Sequence, residues 1–469
     1  MTDTYNIFNV PSFNSMFRIF FCILLAACYL DGEAQFILEH INIINVLDGT
    51  IKKDQTIRIE GGMIKTISRQ SGHDITYKVY DCTGKFIMPG LWDMHIHDGG
   101  DSSTRYEYMP LFLANGVTGV RDMWGSEEML KLRDEIKEGT FTGPRMIVGS
   151  PIVDGAKPFF RSSLSAKTPE QGRHYVDSLK DAGYDFIKIY SLLREPVYLA
   201  IADECKKKSI PMEGHLPIEI GFEEAVDAGQ RSFEHSFNVN RFLIRKEKPS
   251  LQWAHDYLDT VHKMQATEFM SQIEPLGISA KDFYLPESVL DKIRGNRVAI
   301  VPTLTLMQGR GLPTEQMVRQ TKGLDYVSED FIQYWEHQEP AFPPELIKLF
   351  GAAAKFLLDK NVLILAGTDV NNPFCVPGFG LQQELINLHE AGLTNLQVIQ
   401  TATINPARFL YMEKVLGTVS EGKFADLLIL NDNPLVDISN MQKIYAVIVN
   451  GKYISQSDIA DMLKAQKKR

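Results

Sequence analysis

The chain has 469 residues, of which 44% are hydrophobic and 23% charged, a composition that excludes disordered, collagen-like and fibrous classes. Its length suits roughly two to four ordinary domains, or one large barrel with attachments. The 49 Lys+Arg against 59 Asp+Glu give a formal net charge of -10, and without an extended basic stripe nucleic acid is not an expected partner.

Residues Met16 to Leu30 place one Arg ahead of an apolar run of twelve residues. That run is short for a bilayer span and suits the h-region of a secretory signal peptide. Gly32 and Ala34 occupy the -3 and -1 places for cleavage before Gln35, so residues 1–34 read as a removable signal. The sequence Leu25-Ala26-Ala27-Cys28 also reads as a bacterial lipobox, which would make Cys28 a lipidated membrane anchor. A third reading leaves the segment uncleaved. The first two predict export to a periplasmic or extracellular place. Residues 1–15 hold no basic residue, which points to Met16 as the start. Of the five cysteines, Cys82, Cys205 and Cys375 lie far apart. They form no disulfide framework or CxxC knuckle and are expected as buried free thiols.

Short alternating strands follow: Phe36–Ile43, a hairpin from Thr56–Glu60 through Gly61-Gly62 to Met63–Ile67, and Tyr77–Tyr80. From Phe86 the pattern changes to apolar strands separated by amphipathic helices. Eight strand candidates are Phe86–Leu91, Val117–Arg121, Arg145–Val148, Phe186–Tyr190, Ile210–Met212, Ser232–Glu234, Val298–Val301 and Val362–Ala366. Helices are predicted over Glu127–Glu138, Pro169–Ala182 and Pro344–Lys360, among others. Eight such units predict an α/β fold with a (β/α)8 TIM-type barrel over 86–407. A helical insertion about 240–297 would follow the sixth strand, as an appendage or a substrate lid. After Ala407 the chain returns to strands, with a turn at Asn450-Gly451. Residues 35–85 and 408–469 are expected to pair as one small β-sandwich.

His95-Ile96-His97 stands directly after the first strand candidate, and residues two apart on extended chain face one side. Alone, such a pair is weak, since the chain holds 11 histidines. His215, His235 and Asp369 lie at the ends of the fifth, sixth and eighth candidates, which converge on one face of a barrel. Four histidines and a carboxylate suit zinc or another divalent transition ion. Lys188, inside the fourth candidate, is either a snorkelling or paired lysine, or an amine carboxylated by carbon dioxide. His174, His255, His262, His337 and His389 fall on helical patterns and read as surface or core residues.

The chain resembles the amidohydrolase superfamily, nearest its imidazolonepropionase-like and prolidase-like members. The motifs that carry the resemblance are Met88-Pro89-Gly90-Leu91-Trp92-Asp93-Met94-His95-Ile96-His97, Asp185-Phe186-Ile187-Lys188-Ile189, Phe233-Glu234-His235, Gly367-Thr368-Asp369, Ala402–Ala407 and Gly422–Leu427. It implies that His95, His97 and Asp369 hold one metal, that His215 and His235 hold a second, and that carboxylated Lys188 bridges them. The implied cofactor is two Zn2+ per chain, with a bridging hydroxide as nucleophile and Asp369 as the proton carrier. Asp93 either orients a ligating histidine or is a strand-end turn carboxylate. Pro217 replaces a histidine that many relatives carry, and Trp92 an aliphatic residue. The gap from Lys188 to His215 is also shorter than in many dipeptidase-type relatives, which weakens a direct transfer of dipeptide specificity.

Three functions compete. The first is a binuclear hydrolase of amide or peptide-like C–N bonds, with dipeptides ending in proline or other N-acyl amino acids as substrates. The second is a mononuclear cyclic-amide hydrolase or deaminase in which Lys188 stays an amine. The third is a non-catalytic binding protein on the same scaffold, which an intact ligand set disfavours. Arg121 and Tyr190 are candidate substrate contacts. Arg121 would either grip a carboxylate or pair with Asp122 or another acid inside the fold. The loop Asn371–Gly380 would also shape the pocket.

Overall fold

The computed structural model describes residues 35–69, 76–97, 102–235, 237–243, 283–338 and 344–468. The targeting segment, with Cys22 and Cys28, lies outside the described residues. So does the stretch 244–282 of the insertion expected about 240–297, with His255 and His262.

Eight parallel strands form the inner core: β1 (Leu91–Ile96), β2 (Val117–Asp122), β3 (Arg145–Val148), β4 (Ile187–Ile189), β5 (Met212–Gly214), β6 (Gln230–Glu234), β7 (Ala299–Val301) and β8 (Leu363–Ile364). β1, β2 and β3 make one sheet, and β4 to β8 pair in sequence order in a second. Two short strands, Val153–Asp154 and Leu164–Ser165, extend the second sheet beyond β4. Parallel bridges Gly149↔Phe186 and Ile96↔Val370 connect the edges of the two sheets. Most residues of these strands are buried on both faces, as expected of parallel strands covered by helices. The helix Glu127–Glu138 shows how the cover is written. Ser126 caps its start by accepting from Met129 N, and Met129, Leu132 and Ile136 recur on its buried face.

The first strand candidate is corrected. Phe86–Pro89 pairs with Leu427–Leu430 in an outer sheet, and the core strand begins only at Leu91. His95 therefore sits inside β1, not after it. The outer sheet joins both chain ends: Lys452–Ser455, Ile444–Val449, Leu427–Leu430, Phe86–Pro89, Phe36–Ile44, Ile51–Glu60 and Met63–Ser68 in that order, with Lys78–Asp81 also on Phe36–Ile44. Phe36, Leu38, Ile41, Ile57, Ile59, Leu427 and Ile429 are among the residues packed on one of its faces. Arg145 of β3 ties it to the core through Asp426 at 3.0 Å. Cys82, Cys205 and Cys375 are free and buried. Among the described residues no helix is long and apolar enough to cross a membrane.

Candidate metal centre

The ends of the core strands deliver the predicted residues to one place. β1 carries His95, and His97 follows directly. Lys188 is the middle residue of β4, His215 follows β5, His235 follows β6, and Asp369 lies five residues beyond β8. His95, Lys188, His235 and Asp369 are all buried. Close packing at this level requires Gly367, where an added Cβ would lie 2.9 Å from the His95 Cβ and 2.6 Å from Val301. His235 and Asp369 adopt left-handed backbone conformations with φ of 61° and 60°. For non-glycine residues this conformation costs free energy and clusters at functional turns.

The four imidazoles form a chain. Ring centroids are 5.1 Å apart for His97 and His95, 4.6 Å for His95 and His235, and 4.9 Å for His235 and His215. Asp369 sits among them: its Oδ1 is 2.7 Å from His97 Nε2 and 3.2 Å from His95 Nε2, and its Oδ2 is 3.8 Å from His235 Nε2. One ring nitrogen of each of three histidines is held from outside. His95 Nδ1 meets Glu234 Oε2 at 2.8 Å, His215 Nδ1 meets Ser191 Oγ at 2.9 Å, and His235 Nδ1 meets Thr303 Oγ1 at 2.8 Å. An ionised carboxylate only accepts, so the His95 Nδ1 carries a proton, and this bond turns Nε2 toward the centre.

The inward atoms are left over. His215 Nε2 is buried without a hydrogen bond, and His95 Nε2 faces Asp369 Oδ1 at 3.2 Å outside good hydrogen-bond geometry. One ligand atom each from His95, His235 and Asp369 lie within 4.8 Å of one another. Buried polar atoms are almost always satisfied, so inward lone pairs with outward nitrogens tied fit a divalent ion.

The electrostatics suit cation binding. Burial pushes His235 down to about 3 and His215 well below its ordinary value, which keeps both imidazoles neutral. Burial raises Asp369, but His95, His235 and His97 outweigh it and hold the carboxyl well below its usual range. Burial pushes Lys188 down to about 8, against the pull of Glu234 and Asp369.

The alternatives left open for Arg121 and Asp93 are resolved by the structure. Arg121 is fully buried beneath the site, where every arm of its guanidinium is engaged. Nε donates to the Met94 carbonyl at 2.7 Å, Nη1 to Glu213 at 2.7 Å and Ser232 at 3.0 Å, and Nη2 to both Glu234 oxygens at 2.9 and 3.1 Å. It has no donor to spare for a substrate, so its assignment as a substrate contact is corrected. Asp93 bonds no histidine ring. It accepts from Thr368 N at 3.0 Å, Thr368 Oγ1 at 2.7 Å and His95 N at 3.2 Å, which fixes the turn leading to Asp369. The carboxylate on the ring is Glu234, whose only sequence signal is its place beside His235. Ser191 and Thr303 had no comparable signal. Tyr190 is half-buried and stacks on the His215 ring at 3.8 Å, so it lies beside the centre.

Comparison with known proteins agrees with this geometry. Residues 86–454 match the model of the amidohydrolase family. The ochratoxinase of Aspergillus niger is 24% identical over 392 residues, covering 77% of this chain and 73% of that protein. An adenine deaminase of Desulfatibacillum aliphaticivorans is 29% identical over 97 residues, 21% of this chain and only 16% of the relative's length. The structure of a Xaa-Pro dipeptidase with methionine in its active site superposes with a TM-score of 0.64 at 19% identity, covering 90% of this chain and all of the other. At that identity the likeness speaks for the fold. By the family match over most of its length and the site its strands assemble, the chain belongs to the amidohydrolase family, enzymes that act on carbon–nitrogen bonds.

Proposed function

We propose that the protein is a metal-dependent hydrolase of amide bonds in N-acyl amino acids or dipeptides. One observation carries the reading: three imidazoles are tied on their outward nitrogens, and His95 and His235 present the other nitrogen to the buried Asp369 carboxylate. His95, His97 and Asp369 would hold one ion, and His215 and His235 a second. The amine of Lys188, held down to about 8, would add to carbon dioxide, losing a proton and forming an anionic carbamate that bridges them. Divalent ions bound there supply Lewis acidity toward a carbonyl and acidify water.

The remaining work falls to the chain. Asp369, kept ionised by its imidazole neighbours, accepts a proton from the attacking water and returns it to the departing amine nitrogen. Glu234, Ser191 and Thr303 keep three rings oriented, and the Asp93–Thr368 bonds keep Asp369 in place. The eight core strands, with their two edge bridges, are read here as a closed (β/α)8 barrel over 86–407. The sheet built from both chain ends is read as the small β-sandwich. Residues 1–34 would export the enzyme, by cleavage or by lipidation at Cys28.

A mononuclear reading has its own support: His95, His235 and Asp369 bring one ligand atom each within 4.8 Å of one another, which needs only one ion. Metal analysis of the zinc-loaded protein separates the two. The binuclear reading expects two zinc ions per chain, falling to one with loss of turnover in Lys188→Ala. One ion in both proteins would sink it. Amine release across dipeptides and N-acyl amino acids tests the substrate class, and turnover confined to lactams and heterocycles would reject it.

A further inference from the structure

A cavity of about 180 Å³ lies between the helices Leu304–Gly311, Thr314–Gln320 and Phe379–Glu390. The described residues that line it include no metal-ligand candidate and no carboxylate. Met317, Phe374, Val376 and Phe379 make an apolar wall. That wall is braced from behind. Phe379 stacks on Tyr326 at 5.4 Å and Phe374 packs on Trp335 at 5.5 Å. Met317, Phe374 and Val376 also share a small core of their own with Trp335. Gly323 lets the chain close over Phe379, since a Cβ there would lie 2.5 Å from the ring.

The rest of the lining is amides, hydroxyls and one cation, Lys322. Hydrogen bonds behind the surface decide which amide ends face the cavity. The Thr305 hydroxyl gives its hydrogen to Glu384 at 2.9 Å, so toward Asn387 Nδ2 at 3.4 Å it accepts. That fixes the Asn387 amide. Its Nδ2 donates to Gln308 Oε1 at 3.2 Å, and its Oδ1 accepts from Gln383 Nε2 at 2.9 Å. The relay leaves Gln308 Nε2 as a donor that is neither buried nor bonded among the described residues. Gln442 Oε1 accepts from Lys322 Nζ, which leaves Gln442 Nε2 over in the same way. Lys322 itself has this neutral partner and no acidic one among the described residues. Three donors, one of them charged, therefore border one cavity with no carboxylate to answer them. Ammonium and amide N–H groups only donate, and an anion is the acceptor they hold best. One cation answers one negative charge. A cavity of about 150 Å³ holds a benzene ring, so the ligand is limited to roughly eight to ten non-hydrogen atoms.

We propose that this cavity is a second ligand site, separate from the metal centre, which takes a small monocarboxylate with an apolar body. The carboxylate lies against Lys322, Gln308 and Gln442, and the hydrocarbon lies against Met317, Phe374 and Phe379. The site stands whether or not the metal centre hydrolyses amides.

Calorimetric titration of the zinc-loaded full chain tests it, with 4-methylpentanoate and its uncharged counterpart 4-methylpentanamide as probes. Saturable binding of the acid, about tenfold or more tighter than that of the amide, is expected. Lys322→Met should weaken the acid about tenfold or more and leave the weaker binding of the amide unchanged, while Lys322→Arg keeps most of the affinity. Lys322 is exposed, so these variants leave the core intact. Gln320→Trp, also at an exposed position of the lining, narrows the cavity with the charge kept and should weaken both probes alike. A carboxylate also coordinates zinc, so the same titration is run on His97→Ala, where unchanged affinity is expected. Binding that is lost in His97→Ala yet indifferent to Lys322→Met belongs to the metals and overturns the site. Equal binding of acid and amide, or no saturable binding of either, overturns it as well.

Discussion

Arg121 spans three strands of the core, bonding Met94 of β1, Glu213 of β5, and Ser232 and Glu234 of β6. Removing it would leave two buried carboxylates without their cation. Arg121→Met is expected to destabilise the protein by about 3–5 kcal/mol in urea denaturation. Arg121→Lys should fall between, because an ammonium cannot serve so many acceptors at once. A residue that merely gripped substrate would raise KM and leave stability unchanged. Glu234 connects this network to the metal site, since one of its oxygens meets His95 Nδ1. Arg121 and the His95 bond hold its carboxyl below the usual range despite burial. Glu234→Gln keeps the shape and weakens the hold on the ring. It should lower zinc affinity about 10–100-fold in chelator competition. Unchanged affinity would show that ring orientation is set elsewhere.

At the scale of elements, the start of the helix Leu304–Gly311 is fixed from a neighbouring helix. Glu384, in Phe379–Glu390, accepts from Leu304 N at 3.0 Å, Thr305 N at 2.7 Å and Thr305 Oγ1 at 2.9 Å. Burial nevertheless pushes its carboxyl up to about 7, against those bonds. The native state therefore binds a proton that the unfolded chain releases near pH 4.5. The contribution to stability is greatest below that pH, falls as pH rises to about 7, and is constant above. The change is on the order of 3 kcal/mol, at 1.4 kcal/mol per pKa unit. Denaturation at pH 5 and pH 8 should show Glu384→Gln losing less stability across that interval than the parent protein. An identical loss in both would place the effect in other groups. The same helix start holds Thr303 against His235, so the positions of these elements and of the metal site are linked.

For the whole molecule, the metal and the outer sheet make separate contributions. A ligand bound only by the native state stabilises by about 4 kcal/mol when present at a thousand times its dissociation constant. Chelation should therefore lower Tm, and added zinc should restore it, rising with the logarithm of free zinc above the dissociation constant; a Tm indifferent to chelation would argue against resident metal. The outer sheet needs both ends of the chain, because Phe86–Pro89 lies between Phe36–Ile44 and Leu427–Leu430. Truncation after Leu416 would expose the edge of Phe86–Pro89 and part of the apolar face packed on the sheet, and should yield insoluble protein. Soluble, active truncated protein would show the core to be independent.

What the sequence determined by itself is the repeating order of strands and helices, the pairing of the two terminal β segments and the residues that reach the centre. Alternation, turn residues and ligand types at strand ends are local patterns, and local patterns survive in a linear text. Tertiary structure decided the rest. Where one strand ended and the next began around Gly90 depended on which sheet each half joined, not on its own propensity. Arg121 looks from sequence like a site residue because it ends a strand candidate, and Asp93 because it lies within the first motif, yet partners far along the chain give them structural work. Glu234, Ser191 and Thr303 gained their places on the imidazoles, and Trp124 its place beside the His97 ring, only when folding brought distant segments together. A hydrogen bond or ring contact between residues tens of positions apart has no signature in either residue alone, whereas a ligand at the end of a strand does.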